Sequence, residues 1–249
     1  MAKSEEYREK LRSSKDWEPF LLKESGLPGP RGNLELMQVV ADEGNEQLFT
    51  SYISYSPLEA PTNDPKEFLV ACGVVGLGRL AAEGDLKWLE TLRRMASDER
   101  WRTREAVAMA LQRLGKSNME VLLQEMTVWS RGNFLEQRAV AAALCEPVLL
   151  QKEHEAALVL KILDNITAAL LESKDRKSEE FQVLKKGLAY CWSVAVAALP
   201  GEGKIYMDKW LGSSDRDIRW IMKENLKKNR LVRMDAKWVE ERLMKLETS

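Results

Sequence analysis

The chain has 249 residues, a formal net charge of −1, 45% hydrophobic residues and 31% charged residues. This balance is typical of a folded globular protein and excludes an intrinsically disordered chain. There is no run of 18 apolar residues, and charged residues occur throughout the N-terminal stretch MAKSEEYREKLRSSK. We therefore expect neither a membrane span nor a signal peptide, and a cytoplasmic protein.

The N-terminal segment is predicted to form short helices followed by a glycine-rich loop. Residues 2–24 fit one or two helices, whereas three glycines and two prolines exclude a helix at Ser25–Asn33, SGLPGPRGN. Asn33 is a good N-cap for a helix over 34–41. A glycine-rich loop before a helix N-terminus, with Arg31 nearby, can bind a phosphate. We favour an ordered connector, because the loop matches neither GxxxxGKS/T nor GxGxxG after a strand.

A strong helix start follows at Asp64. Asp64 supplies the cap, Pro65 takes the first helical position and Glu67 the third. The helix that follows runs to Leu80 and carries three glycines, Gly73, Gly76 and Gly78. Each glycine costs about 1 kcal/mol relative to alanine in an exposed helix. We therefore expect a second helix to pack tightly here, with close approach of a ligand as the alternative.

The stretch Ser97–Leu114, SDERWRTREAVAMALQRL, is similar in sequence to other segments of the chain. Gly73–Leu80 aligns with Val107–Leu114, which lies 34 positions further along the chain. Ala139–Leu144 aligns with AVAMAL, Ala106–Leu111, which lies 33 positions earlier. A further similar segment, DIRWIMKENL, lies 115 positions downstream. A period in the low thirties is the length of one helix pair of an α-solenoid. The stretch also carries small side chains against which a second helix can pack closely, at Ala106, Ala108 and Ala110.

These similar segments carry a family resemblance. Asp98 and a turn, then Thr103-Arg104, Val107-Ala108, Leu111 and Leu114-Gly115, resemble the second helix of a HEAT-like repeat, as do Asp215 and Ile218-Arg219. The resemblance covers residues 65–246 and implies an all-α fold, an α-α superhelix (solenoid) of HEAT-like helical repeats. It implies a divergent N-terminal cap of helices and loops over 1–64 and a repeat superhelix over 65–249, and we expect the cap and the superhelix to form one continuous domain. HEAT-like proteins include scaffolds, adaptors, lyase relatives and DNA alkylation-repair glycosylases, so the resemblance alone does not define a function.

The remaining segments are also predicted to be helical, and no segment alternates as a strand does. The predicted helices are Gln47–Tyr55, Asp85–Ala96, Trp101–Leu114, Asn118–Trp129, Asn133–Leu150, Lys152–Leu171, a helix from Ser178 to Leu199, Lys204–Leu211, Asp215–Lys228 and Asp235–Leu246. Ser178 is the expected cap of its helix, and Pro200-Gly201 is expected to end it. The charged stretch Glu172–Glu180 is expected to be a solvated loop.

Few residues support catalytic or metal chemistry. The three cysteines, Cys72, Cys145 and Cys191, are widely spaced in apolar segments without a CxxC motif, so we expect buried, reduced thiols. The one histidine, His154, stands at a predicted helix start, and no nucleophile motif accompanies it. We expect a surface histidine, and we expect no catalytic residue, no cofactor and no metal.

The resemblance implies where a binding site would lie, because second helices line the concave face of a HEAT-like stack. The residues predicted to face a ligand there are Arg79, Trp101, Arg102, Arg104, Glu105, Arg113, Arg138, Arg219, Trp220, Lys223 and Lys227. The alternative is that the arginines brace the fold through a carboxylate or a carbonyl, which we favour for Arg104 and Arg219. Arginines clustered in one positive groove would favour a nucleic acid, and arginines paired with Asp and Glu would favour a protein partner.

The distribution of charge along the chain indicates an alternative function. Residues 204–249 hold 12 basic and 8 acidic residues, so this end carries +4 in a nearly neutral chain. Resemblance to the DNA alkylation-repair branch implies an aromatic cleft that faces the lesion, with a carboxylate that stabilises the sugar cation. The tryptophans that lie close in sequence to an aspartate are Trp101 with Asp98 and Trp220 with Asp217. We expect a non-catalytic scaffold that binds a protein or peptide on its concave face, with a nucleic-acid-binding or glycosylase relative as the alternative.

Overall fold

The computed structural model describes residues 3–247, and the predictions that concern positions 1, 2, 248 and 249 lie outside that range. Within it, the chain is all-α: fifteen α-helices and one short 3-10 turn are present, and no strand occurs between residues 3 and 247. The all-α prediction is therefore confirmed. The described residues divide into two compact units, the first ending at Asn118 and the second beginning at Met119.

The first unit is built around one buried helix. Its helices are α1 (Lys3–Ser13), α2 (Glu18–Glu24), α3 (Leu34–Glu43), α4 (Glu46–Ile53), α5 (Pro65–Ala82), α6 (Trp88–Met95) and α7 (Trp101–Ser117). Every residue of α5 from Glu67 to Gly78 is buried, and α5 packs against α2, α3, α4, α6 and α7. A helix surrounded on all sides needs apolar or small residues on every face, as the sequence of α5 has.

The glycines of α5 mark the places where its neighbours come closest. A Cβ atom at Gly73 would lie 2.8 Å from the carbonyl oxygen of Phe49, and one at Gly76 would overlap the Phe49 ring. A Cβ atom at Gly78 would lie 2.5 Å from Cβ of Ala110 and 2.6 Å from its carbonyl oxygen. These distances are shorter than ordinary contacts allow, so tight helix packing explains the three glycines, as the sequence predicted.

The second unit has a different helix at its centre. Its helices are α8 (Met119–Trp129), α9 (Phe134–Leu144), α10 (Glu153–Glu172), α11 (Glu179–Ala198), α12 (Pro200–Leu211), α13 (Arg216–Leu226), α14 (Asn229–Met234) and α15 (Ala236–Glu247). Helix α11 packs against α9, α10, α12 and α13. Buried polar bonds fix its register: Trp192 Nε1 donates to Thr167 Oγ1 at 3.0 Å, and Ser193 N donates to Asn225 Oδ1 at 2.8 Å.

The helix caps follow the sequence closely. The side chains of Asn33, Asp64, Ser178 and Asp215 each accept a hydrogen bond from a main-chain N–H in the first turn of α3, α5, α11 and α13. The first three confirm predicted caps, while Asp215 lies just outside a helix that was predicted to include it. Short polar side chains at these positions satisfy N–H groups that the helix itself leaves unpaired.

Several predicted helix boundaries differ in the structure. The helix predicted to reach Leu150 ends at Leu144, and Pro147–Leu149 forms a separate 3-10 turn. Proline disfavours helical geometry in the residue before it, and Glu146 is extended, with φ −110° and ψ 117°. The helix predicted over Asp215–Lys228 ends at Leu226, and α14 begins at Asn229. Helix α12 instead begins earlier than predicted, because Pro200 suits a first helical position.

Candidate functional site

The first unit contains a groove that joins the glycine-rich loop to the start of α7. Its volume is about 360 Å³, within the range of ligand pockets. The residues that line it are Leu27, Pro30, Arg31, Gly32, Leu34, Met37, Phe68, Ala71, Trp101, Arg102, Glu105 and Met109. Three residues of the predicted binding set therefore meet here, and the loop singled out in the sequence forms the facing wall.

The loop wall is held by its own hydrogen bonds. Asn33 N donates to Ser25 O at 2.8 Å, and Asn33 Nδ2 donates to Tyr7 Oη and to Glu24 O, each at 2.9 Å. Gly26 has a φ of +77°, a conformation that favours glycine. The loop is thus ordered by its own hydrogen bonds, and it contributes a wall of the groove.

Arg102 ties this loop to α5. Its Nη1 lies 3.1 Å from Glu67 Oε2, and its Nη2 donates to Gly29 O at 2.6 Å and to Asn63 Oδ1 at 3.2 Å. Glu67 is fully buried, and its Oε2 also accepts from Asn63 N at 2.7 Å. Two buried atoms of this cluster, Arg102 Nε and Glu67 Oε1, have no hydrogen-bond partner among residues 3–247.

Sequence reasoning missed two members of this cluster. Glu67 was assigned only a helix-start role, and Asn63 was assigned none. Asn63 has a φ of 71°, a left-handed conformation that asparagine tolerates better than most residues, and its Oδ1 also accepts from Gly29 N at 3.0 Å. The Asn-Asp-Pro sequence was the available signal, since it is typical of a tight turn before a helix.

Trp101 gives the groove an exposed aromatic wall. It is 44% exposed, and Cζ of Arg102 lies 4.3 Å from the centroid of its ring. Leu34, on the other side, is 51% exposed. Arg31 is exposed at the edge, and Glu105 is half-buried. The groove therefore combines apolar walls with a small number of charged groups.

The other predicted arginines of the first unit are engaged within the unit. Arg79 Nη1 lies 2.7 Å from Glu83 Oε1 and its Nη2 donates to Gly44 O at 3.0 Å. Arg113 Nη1 lies 2.8 Å from Asp42 Oδ1. Arg104 is buried, and its Nη1 donates to Asp98 O at 2.6 Å and to Glu99 O at 3.0 Å. These contacts are the bracing that we favoured for Arg104.

Five predicted residues belong to the second unit. Arg138 packs against Gly187 of α11, and Arg219 Nη2 donates to Leu246 O at 3.2 Å. Lys223 and Lys227 are exposed, and Lys227 forms an ion pair with Glu224. Trp220 is 38% exposed, and Nζ of Lys185 lies 4.6 Å from the centroid of its ring.

The carboxylates beside the exposed tryptophans are already neutralised by cations. Asp217 is buried and lies 2.7 Å from Lys185 Nζ and 3.0 Å from Arg176 Nη1. Burial raises the pKa of Asp217, but hydrogen bonds from these two cations outweigh it and hold the pKa below its ordinary 3.8. Asp98 likewise pairs with Arg100 at 2.7 Å. Both carboxylates are therefore engaged with cations of their own unit.

The remaining reactive side chains lie outside the groove. All three cysteines are buried and free, and burial raises the pKa of Cys72 and Cys145 well above 9.0, which leaves both as unreactive thiols. His154 is a surface residue with a 72% exposed side chain. Within residues 3–247, no three or more His, Cys, Asp or Glu side chains are arranged to hold a metal ion. No helix in that range is long and apolar enough to cross a membrane.

Comparisons with known proteins add little. No protein family and no curated protein matches the sequence. One similar solved structure is the crystal structure of an engineered protein from the Northeast Structural Genomics Consortium, which is 16% identical. The match covers 94% of this chain and 98% of that chain, with a TM-score of 0.39.

Proposed function

We propose that this protein is a non-catalytic HEAT-like repeat scaffold that binds a protein or peptide partner, and that the groove of the first unit is a contact site for it. In this proposal, α5 and α7 are second helices of successive repeats of an α-α superhelix, and α7 contributes to its concave face. The side-by-side packing of α5 with α7, and of α9 and α13 with α11, supports the repeat interpretation.

The pairing of the arginines is the observation that carries the proposal. Arg79, Arg102 and Arg113 each form an ion pair with a carboxylate of the first unit, and Arg104 donates to carbonyls. A phosphate backbone needs cations that are available to neutralise it. Arginines that are already paired favour the protein-partner function over the nucleic-acid function.

The groove has the composition of a protein-binding hot spot. Tryptophan and arginine are enriched where truncation costs the most binding energy, and Trp101 and Arg102 stack beside an apolar cavity. The wall is preorganised because Arg102 and Asn33 hold the loop by hydrogen bonds, so little conformational entropy is lost on binding.

A peptide selection against the purified protein tests this proposal. Peptides displayed on phage are selected on the immobilised full chain, and the affinities of enriched peptides are measured by calorimetry. We expect Trp101→Ala to weaken binding about tenfold or more, as loss of a hot-spot tryptophan does. The matched control is Trp220→Ala, since Trp220 has similar exposure and belongs to the second unit. The proposal is wrong if no selected peptide depends on Trp101.

The alternative is a nucleic-acid-binding protein or a DNA alkylation-repair glycosylase relative, and one feature of the second unit favours it. Tyr190 is 46% exposed, it hydrogen-bonds to Arg230, and Nζ of Lys228 lies 5.8 Å from the centroid of its ring. Anisotropy of a labelled duplex, intact or with an abasic-site analogue, tests this function at low and physiological salt. Affinity that falls linearly with log salt would support it, and preference for the abasic duplex would point to repair.

A further inference from the structure

The second unit has a cavity of its own between the 3-10 turn, α11 and α14. Its volume is about 490 Å³, larger than that of the groove in the first unit. Leu150, Val194 and Ala197 belong to its apolar walls. Among the described residues, Arg230 is the one charged side chain in the lining, and no Asp or Glu lines the cavity. Apolar walls beside a cation suit a ligand that joins an apolar group to an anion.

Arg230 is held at this cavity by Tyr190 and keeps donors open. Its Nη2 donates to Tyr190 Oη, and its Cζ lies 4.7 Å from the centroid of the Tyr190 ring. Within residues 3–247, Arg230 Nε and Nη1 have no hydrogen-bond partner, and both atoms are accessible to solvent. Because Nη2 carries a second hydrogen, one complete two-donor edge remains, formed with either Nε or Nη1. Such an edge binds carboxylates and phosphates in a bidentate manner.

A second cation lies near the same tyrosine ring. Nζ of Lys228 is 5.8 Å from the centroid of Tyr190. In the described part of the chain, neither Lys228 nor Arg230 forms an ion pair with a carboxylate, whereas the neighbouring Lys227 pairs with Glu224. Two cations without a carboxylate partner attract a dianion more strongly than a monoanion.

Charge distinguishes among the common organic anions. A phosphate monoester carries about −1.5 to −2 at pH 7, whereas each phosphodiester of a nucleic acid carries one negative charge. A nucleic acid also needs cations spaced along its backbone, and the lining of this cavity contributes one, Arg230. A single compact dianion with an apolar group therefore fits the cavity better than a nucleic-acid strand or a carboxylate does.

We propose that this cavity is a binding site for a small organic phosphate monoester. The phosphate accepts from the open edge of Arg230 and is attracted by Lys228, while the apolar group lies against Val194 and Ala197. Tyr190 positions the guanidinium of Arg230. This inference goes beyond the proposed function, because it concerns the other unit of the chain and a different ligand.

Calorimetry of the full chain with three small anions tests the ligand class. Phenyl phosphate is the probe, phenylacetate replaces the phosphate with a carboxylate, and inorganic phosphate lacks the apolar group. We expect phenyl phosphate to bind about tenfold more tightly than either of the others. Phenylacetate lacks the second negative charge, and inorganic phosphate makes no apolar contact with the cavity walls.

Substitutions at the cavity test where the ligand binds. Arg230→Gln should weaken the binding of phenyl phosphate about tenfold or more, and Arg230→Lys should weaken it less, because lysine keeps the charge but lacks the two-donor edge. Arg233→Gln is the matched control and should leave the affinity nearly unchanged, since Arg233 is an exposed arginine of the same helix outside the cavity lining.

A further variant tests the apolar part of the site. Ala197→Leu places a larger side chain at a half-buried position of the cavity wall. It should weaken the binding of phenyl phosphate and leave that of inorganic phosphate unchanged, because only the ring needs the space. Equal effects on the two ligands, or no effect on either, would contradict this placement of the apolar group.

Several results would overturn the inference. Phenyl phosphate that fails to bind at millimolar concentration, or that binds Arg230→Gln as tightly as the natural chain, excludes the site. An equal loss in Arg233→Gln means general attraction to a basic surface, and tighter binding of phenylacetate refutes the phosphate preference. A DNA duplex or phosphoserine peptide that displaces phenyl phosphate and binds more tightly through Arg230 makes a macromolecule the occupant. None of these results depends on Trp101, so the proposed function is tested separately.

Discussion

Replacing Gly78 with alanine tests the close contact between α5 and α7. The new Cβ would lie 2.5 Å from Cβ of Ala110, whereas ordinary contacts are 3.4–4 Å, so the two helices must separate by about 1 Å. Overpacking of this kind costs about 1–3 kcal/mol, and the upper end applies because the obstacle includes main-chain atoms. Alanine returns about 1 kcal/mol through helix propensity. We expect a net loss of about 2 kcal/mol in the free energy of unfolding.

Gly187→Ala is the matched control in a helix interior. Its Cβ would lie 3.5 Å from Cγ of Arg138, an ordinary contact, so only the propensity gain of up to about 1 kcal/mol remains. The double variant Gly78→Ala/Ala110→Gly removes the contact between the two Cβ atoms but leaves those with the Ala110 main chain. We expect the Gly78→Ala substitution to cost less in the Ala110→Gly background than in the natural one.

Urea denaturation followed by circular dichroism measures these free energies, and hydrogen exchange of peptides from α5 and α7 assigns the loss to the first unit. The two readouts are needed because two compact units can unfold separately. If Gly78→Ala stabilises the protein as much as Gly187→Ala does, the helix-contact explanation of the α5 glycines is wrong.

Three further substitutions test the charged clusters and one cap. Glu67→Gln leaves the buried Arg102 without its counterion and should lower the free energy of unfolding by about 3 kcal/mol in a urea titration. Asp217→Asn should cost about 1–3 kcal/mol at pH 7, because Lys185 and Arg176 lose a charged partner. Since the folded-state pKa of Asp217 is below 3.8, this cost should shrink as pH falls from 5 through that pKa; a constant difference between pH 5 and 2 would contradict the assignment. Asn33→Ala removes the α3 cap together with the Nδ2 hydrogen bonds to Tyr7 Oη and Glu24 O, so it should lower stability by about 1 kcal/mol or more, detectable as a lower Tm; an unchanged Tm would mean that these bonds contribute nothing.

The parts of the candidate site differed in how far they could be predicted. Trp101, Arg102 and Glu105 were selected because they belong to a predicted second helix of a HEAT-like repeat, and they do lie together in the groove. The glycine-rich loop was singled out separately for its composition. Nothing in the spacing indicated that this loop faces Trp101, because some 70 residues separate them and only packing around α5 brings them together.

Local chemistry was sufficient to predict a structural feature wherever that feature depends on residues close together in the chain. The all-α class, the caps at Asn33, Asp64 and Ser178, and the need for a close neighbour at the α5 glycines follow from side-chain size, main-chain hydrogen bonding and apolar period, all of which act over a few residues. The sequence by itself determined these features.

Only the tertiary structure decided which partner each charged side chain has. Arg102 is bonded to Glu67, Asn63 and Gly29, and Arg113 to Asp42, across separations of 35 to 73 residues. An arginine has the same helical position whether it faces a ligand or a carboxylate of the same unit. That choice depends on which distant segment folds against it, because ion pairs form through space and leave no periodic signal along the chain.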